Sequence, residues 1–236
     1  MQNTQDKNQV PINEIFVSIS GEGSTTGEIV TFVRTEGCNL RCTYCDTKYS
    51  FKEKNFMTID EIKSIVKGNN TPKVLLTGGE PLFGNNKRHL AKELAKKYEV
   101  YIETNGAVPL LDPKELGNLR NNIHYVIDYK TLSSGMNKHD LLDKNINLLD
   151  EKDEIKFVIG TKEDFEDVLN IIEKYKDVIS KNKINLLFGC VFEKIQPAKL
   201  VELLKEKNDF FINNNIKYKF YLQIHKFIWD PNKRGV

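Results

Sequence analysis

KVLLTGGEP, residues 73–81, decides the architecture of this chain. Val74-Leu75-Leu76 has no polar alternation, so it reads as a short strand buried on both faces. Gly78 and Gly79 follow at once and allow close backbone approach, and Pro81 blocks any continuation. A buried strand that stops on glycines is where a parallel sheet presents a ligand.

Working outward, the same grammar repeats. Upstream, Thr58 with Glu61 three residues on is a capping box, opening a helix that ends near Gly68. Downstream come a helix over about Lys87–Tyr98 and a strand, Val100–Glu103, running into Thr104-Asn105-Gly106. His124–Lys130 and Glu154–Ile159 read as strands, with the polar stretch Thr131–Lys138 after the first. Thr161 and Asp164 cap a long helix through about Ile179, whose stripe of Phe165, Val168, Leu169, Ile172, Tyr175 and Ile179 predicts a core face. Strand Ile184–Phe188, helix Ala198–Lys207 and strand Tyr218–Ile224 complete this half, while Val10–Ile19 and Ile29–Thr35 are strands on the other side. The rhythm predicts an α/β fold: an incomplete, curved parallel (β/α) barrel of about six strands, too few to close an eight-stranded ring. Residues 1–9 read as a flexible tail and 10–236 as a single domain.

The hydrophobic share of 39% and charged share of 29% are those of an ordinary soluble protein. A net charge of +2, with Lys and Arg matched by Asp and Glu, gives no reason to expect nucleic-acid binding. The start of the chain is polar and has no signal-peptide core, and the apolar runs fall short of the roughly twenty residues a membrane span needs.

Three of the four cysteines, Cys38, Cys42 and Cys45, fall within GCNLRCTYCDTKYS, residues 37–50. Thiolates are soft ligands for zinc or iron–sulfur clusters. A closed zinc site needs a fourth protein ligand, and none lies nearby. A three-thiolate cluster leaves one iron open to a cofactor or substrate. Such thiols without an export signal place the protein in the reducing cytoplasm. Cys190 is expected to be a buried strand residue.

The spacing Cys38-x3-Cys42-x2-Cys45, with Tyr44 before the last cysteine and Gly78-Gly79-Glu80-Pro81 after a strand, resembles the radical S-adenosylmethionine (SAM) superfamily. That resemblance implies a [4Fe–4S] cluster on the three cysteines, with SAM on the open iron as the source of a 5′-deoxyadenosyl radical. It also implies cofactor-binding roles for Tyr44, Cys45, Asp46, Gly78, Gly79, Glu80, Asn105, Asp128, Tyr129 and Lys130, with Glu80 and the glycine backbone at the SAM amino group.

A narrower resemblance covers most of the chain. Glu14-Ile15-Phe16, Gly21-Glu22-Gly23, Phe32-Val33-Arg34-Thr35, Cys45-Asp46-Thr47, Glu103-Thr104-Asn105-Gly106, Ser133-Ser134-Gly135-Met136 and Gln223-x-His225-Lys226 are similar to the 7-carboxy-7-deazaguanine synthase family. The family converts 6-carboxy-5,6,7,8-tetrahydropterin to 7-carboxy-7-deazaguanine with loss of ammonia, toward queuosine and other deazapurines. The resemblance implies Glu22, Arg34 and His225 as catalytic residues. Glu22 would accept from the guanidine-like edge of the pterin, and Arg34 would clamp its carboxylate. Taken alone, Arg34 reads as a salt-bridged strand-end arginine. Substrate contacts would also come from Ile19, Ser20, Gly21, Thr77 and Pro231. Thr47 would ligate Mg²⁺, a hard ion that needs few protein oxygens. Ser20 stands where the family commonly has Gln, and Asn232–Val236 continue past the proline where some members end. A homodimer and a flavodoxin-type electron donor are implied as partners. Two other readings remain: a glycyl-radical-enzyme activating enzyme, and a zinc or iron–sulfur binding module without catalysis.

Overall fold

A computed structural model describes residues 8–231 and 233–236. The expected N-terminal tail falls mostly outside the described residues, and Gln9 already belongs to the first strand. Nine strands form one sheet: β1 Gln9–Ile19, β2 Ile29–Thr35, β3 Phe56–Thr58, β4 Lys73–Gly78, β5 Glu99–Thr104, β6 Ile123–Tyr129, β7 Glu154–Ile159, β8 Asn185–Cys190 and β9 Tyr218–Phe220. Their order is β3-β1-β2-β4-β5-β6-β7-β8-β9. From β2 to β9 every pairing is parallel, while β1 runs antiparallel to both β2 and β3. The ends β3 and β9 do not meet, so the barrel is incomplete, as the βα rhythm predicts.

The helices are α1 Ile59–Asn69, α2 Asn85–Ala95, α3 Pro113–Leu116, α4 Leu142–Asn145, α5 Lys162–Lys181, α6 Pro197–Glu206, α7 Asn208–Asn213 and α8 His225–Ile228. Both capping boxes form. Thr58 N donates to Glu61 Oε2 at 2.7 Å, and Thr161 Oγ1 accepts from Asp164 N at 3.2 Å. The stripe on α5 faces the sheet, with Phe165, Val168, Ile172 and Ile179 buried and Leu169 and Tyr175 packed at its margin. These side chains meet Leu76, Ile102, Ile127, Phe157 and Phe188 from the helix-covered face of the sheet. Each such buried side chain contributes roughly 1.5–3 kcal/mol relative to exposure.

Strand alternation sends the other set of residues to the concave face. Register aligns Glu14 with Arg34, Arg34 with Thr77, and Asp128 with Lys156. One polar rung, Glu14, Arg34 and Thr77, therefore crosses β1, β2 and β4, and a polar pair, Asp128 with Lys156, lies two residues nearer the carboxyl end, since Glu103 is level with Val126. The sheet has nine strands where the sequence reading expects about six, and two elements depart from that reading. The β3 strand is three residues long, too short to show a period, and forms only because β1 offers it an edge. The last strand stops at Phe220 instead of Ile224, and the chain then turns so that His225 begins α8. Among the described residues no helix is long and apolar enough to cross a membrane.

Candidate active site

The cysteine loop leaves β2 and is locked to the turn after β4 by backbone contacts. Gly79 N donates to Thr35 O at 3.0 Å and Glu80 N to Gly37 O at 2.9 Å. A Cβ on Gly78 would lie 2.2 Å from Thr35 O, and one on Gly79 2.3 Å from Gly37 O. Glycine is required at both places because the backbones touch. The far side of the loop is held through Thr43, whose N and Oγ1 donate to Ser134 O and Ser133 O at 3.0 and 2.7 Å.

Cys38, Cys42 and Cys45 are free, half-buried thiols. Burial pushes the Cys38 and Cys42 thiols up, and the three lie within electrostatic reach of one another. Leu40 N and Asn105 Nδ2 donate to Cys38 Sγ at 3.4 and 3.8 Å. Among the described residues no three His, Cys, Asp or Glu side chains converge closely enough to hold a metal ion. Thiols that each bind a different iron of one cluster stand apart, so this donor set fits a cluster better than a single zinc. Two buried polar atoms beside the loop, Tyr44 Oη and Asp128 Oδ1, have no hydrogen-bond partner among the described residues, which supports the same fit. Burial pushes the Tyr44 hydroxyl up to about 12. Cys190 ends β8 and packs against the core.

The expected cofactor-side residues divide. Asn105 joins the cysteine loop, with Nδ2 2.9 Å from Asn39 Oδ1. Asp128 and Lys130 form an ion pair at 2.9 Å. Burial opposes the Lys130 charge, but Asp128 outweighs it and raises the lysine's pKa. Glu80 is fully buried, and its carboxylate accepts from Leu82 N, Thr104 Oγ1 and Asn105 N at 2.9, 2.8 and 2.7 Å. Those bonds fasten the β4 turn to the end of β5. Tyr129 stands apart from this group. It is one residue past Asp128, so its ring turns to the helix-covered face and packs on Phe157 at 5.7 Å.

The expected substrate-side residues gather along the polar rung and at the polar pair. Glu22 Oε2 accepts from Lys156 Nζ and Oε1 from Gln223 Nε2, each at 2.7 Å. Arg34 Nε donates to Glu14 Oε1 at 2.7 Å, and Tyr49 Oη reaches the same oxygen at 3.2 Å. The salt-bridged reading of Arg34 is therefore correct, while its terminal nitrogens make no hydrogen bond among the described residues. Thr77 Oγ1 donates to Glu103 Oε2 at 2.9 Å. Burial pushes Glu103 up, although Lys156 and Thr77 pull the other way. His225 closes over Gly21, where a Cβ would lie 2.1 Å from Nδ1, and burial lowers its pKa despite Glu22. Gln223 also lines a cleft of about 550 Å³ with Cys190, Phe192 and Phe227.

Other expected contacts are not brought to the rung. Ser20 is buried, with Oγ 2.7 Å from Thr25 Oγ1 and 3.2 Å from Glu22 O, so the hydroxyl shapes its own loop. Ile19 is half-buried at the end of β1, and Pro231 is exposed beyond α8. Thr47 Oγ1 lies 3.6 Å from Cys45 Sγ, and Asp46 pairs with Lys226 at 3.4 Å. Glu14 and Glu103 stand in motifs quoted above without a role of their own, and Lys156 stands in none, yet all three are bonded to the expected substrate-side residues. The available signal was parity: Lys156 is a charge inside the otherwise apolar IKFVI run.

A family description, the Radical SAM superfamily, matches residues 32–205. A 7-carboxy-7-deazaguanine synthase of Clostridium acetobutylicum is 38% identical over 229 residues, covering 94% of this chain and 97% of the relative. A synthase of the same name from Chlorobaculum tepidum is 34% identical over 230 residues, covering 95% and 96%. Among solved structures, QueE from Escherichia coli aligns with a TM-score of 0.63 at 21% identity, over 90% of this chain and 93% of that one. Streptococcus suis SuiB bound to its precursor peptide aligns at 0.60 over 82% of this chain and 48% of that one, which shows a shared fold alone.

Proposed function

This chain belongs to the 7-carboxy-7-deazaguanine synthase family of the radical SAM superfamily, and from that premise we propose that it converts 6-carboxy-5,6,7,8-tetrahydropterin to 7-carboxy-7-deazaguanine. The observation that carries this reading is the near full-length likeness to the Clostridium synthase. The arrangement of the concave face supports it.

Cys38, Cys42 and Cys45 would hold the cluster, with Asn39, Asn105, Asp128, Lys130 and the Gly78–Gly79 backbone around SAM. Bound there, SAM supplies the radical that abstracts hydrogen from the substrate. The protein's own residues bind, orient and exclude water. Glu22 is an ionised acceptor facing the guanidine-like edge of the pterin. Arg34, held by Nε to Glu14, offers its two terminal nitrogens to a carboxylate. His225 keeps a mostly neutral imidazole beside that loop, suited to donating or accepting one hydrogen bond. Thr47 is the expected Mg²⁺ ligand, and its neighbour Asp46 carries the nearest carboxylate in sequence. Mg²⁺ keeps most of its waters, so one protein oxygen and a substrate carboxylate make a reasonable set. The single-domain organisation over 10–236, a homodimer, a flavodoxin-type electron donor and a cytoplasmic location belong to the same proposal.

The test is anaerobic reconstitution with iron and sulfide, reduction, and incubation with SAM, Mg²⁺ and the carboxytetrahydropterin. Deazapurine detected by mass is the expected outcome, with yield dropping about tenfold or more when Mg²⁺ is removed. Accumulation of 5′-deoxyadenosine with no deazapurine under any condition overturns the reading.

A further inference from the structure

Lys156 has no part in the roles above, yet it is the most heavily engaged cation on the concave face. It stands in the middle of β7 and is 6% exposed. Its Nζ lies 2.7 Å from Glu22 Oε2 and 3.6 Å from Asp128 Oδ2. Among the described residues it is the one ion-pair partner these two carboxylates share. Glu22 belongs to the substrate side, and Asp128 to the cofactor side.

A buried carboxylate without a cation takes up a proton rather than remain charged. Burial alone pushes Glu22 upward, but the Lys156 charge and the hydrogen bonds from Lys156 and Gln223 more than reverse this and hold it at about 2. The charged and titratable groups around Glu22 come from several elements. Lys156 faces it from β7, Asp128 from β6, Glu103 from β5, and His225 from α8, with Tyr221 beyond β9 and Arg34 across on β2. Asp128, Glu103 and Tyr221 can only add negative charge, which leaves Lys156 as the cation in direct contact. With Lys156 on one oxygen and Gln223 on the other, the carboxylate is fixed in orientation and each oxygen keeps a free acceptor position.

Building on the proposed function, we propose that Lys156 is a positioning residue: it keeps Glu22 an ionised, oriented acceptor for the guanidine-like edge of the pterin and ties it to Asp128 on the cofactor side. It acts through Glu22 and does not touch the reacting atoms.

The experiment is equilibrium binding of carboxytetrahydropterin to the reconstituted, SAM-loaded enzyme from about pH 6 to about pH 8, where an unpaired buried carboxyl titrates. Wild type is expected to bind with nearly constant affinity, because Glu22 is ionised throughout. Lys156→Met is expected to bind roughly tenfold or more weakly at the acid end and to recover as pH rises and Glu22 loses its proton. The Lys156 charge also holds the His225 pKa down, so wild type and Lys156→Met are also compared on a His225→Gln background, where that titration is absent from the ratio. SAM affinity is expected to change by about threefold at most, since Asp128 keeps Lys130. Lys156→Arg retains the charge and is expected to keep the flat pH profile. Lys156→Met binding as tightly as wild type, or Lys156→Arg acquiring a pH dependence of its own, overturns the proposal. Should Lys156→Met fail to fold, the Arg variant carries the test by the same criterion. Wild type that neither binds nor converts the pterin sinks the functional reading together with this one; wild type that converts it beside an unaffected Met variant sinks this proposal alone.

Discussion

Glu36 shows how a single side chain prepares the cysteine loop. It is 1% exposed, one residue before Gly37, and accepts from Asn13 Nδ2 at 3.1 Å, Lys54 N at 2.5 Å, and Asn55 N and Nδ2 at 3.0 and 3.1 Å. Those bonds fasten Lys54 and Asn55 to the residue that leads into the loop. Burial raises the carboxyl, but the backbone and side-chain donors outweigh it and hold it below the usual 4.5. A carboxyl lowered in the folded state stabilises fully above its unfolded value, and that contribution is lost as pH falls through the folded one. Glu36→Gln is therefore expected to cost about 2–3 kcal/mol near neutral pH, because its amide sets an N–H against other donors. In urea unfolding the gap to wild type is expected to narrow as pH falls below 4.5. A gap of constant size from neutral to strongly acid pH would assign the loss to shape rather than charge.

At the scale of elements, the start of α5 organises more than a helix. Asp164 is buried; its Oδ2 accepts from Gly160 N and Thr161 N at 2.7 and 3.1 Å, and its Oδ1 from Ser133 N at 2.8 Å. Ser133 and Ser134 in turn hold Thr43, so the cap of α5 is two steps from the thiols. Thr161→Ala removes a cap alone and is expected to cost about 1 kcal/mol. Asp164→Ala leaves three backbone donors unpaired, the Gly160 N–H among them fully buried, and is expected to cost about 2–4 kcal/mol and also to lower iron bound per chain after reconstitution. Equal iron in both variants would disconnect the cap from the cluster loop. The capping boxes were legible because both partners lie within four residues. The contact from Asp164 to Ser133 was not, since tertiary packing brings it about. The same division explains the site. Thiols, glycines and Glu22 sit in motifs that a linear reading finds. Lys156 stands out because the neighbouring strand sets it level with Asp128, and a register between strands cannot be read from either strand alone. Adjacency in sequence likewise puts the Asp128 and Tyr129 side chains on opposite faces of the sheet.

Over the whole molecule, stability and chemistry occupy opposite faces of one sheet. The apolar side chains of β4 to β8 are covered by helices, while the ligand side is made of turns and loops at the strand ends. The parallel order was legible from the alternation of buried strands and striped helices; the open barrel was expected from a low strand count, but the sheet has nine strands and stays open because its ends β3 and β9 do not pair. Division of labour of this kind has a measurable consequence. A ligand that binds only the folded chain stabilises it by mass action, about 2.7 kcal/mol at a hundredfold excess over its dissociation constant, which for a chain of this length is roughly 5–10 °C in Tm. SAM added to the reconstituted protein is expected to give a shift of that size. Hydrogen exchange is expected to slow across residues 37–50 and 131–138, while the amides of β4 to β8 stay as they were. Cys38→Ala is expected to abolish the shift and leave the exchange of those strands unchanged, because the thiol lies outside the apolar core. Faster exchange throughout the sheet in that variant would mean that the cluster loop helps to hold the fold and is not merely carried by it.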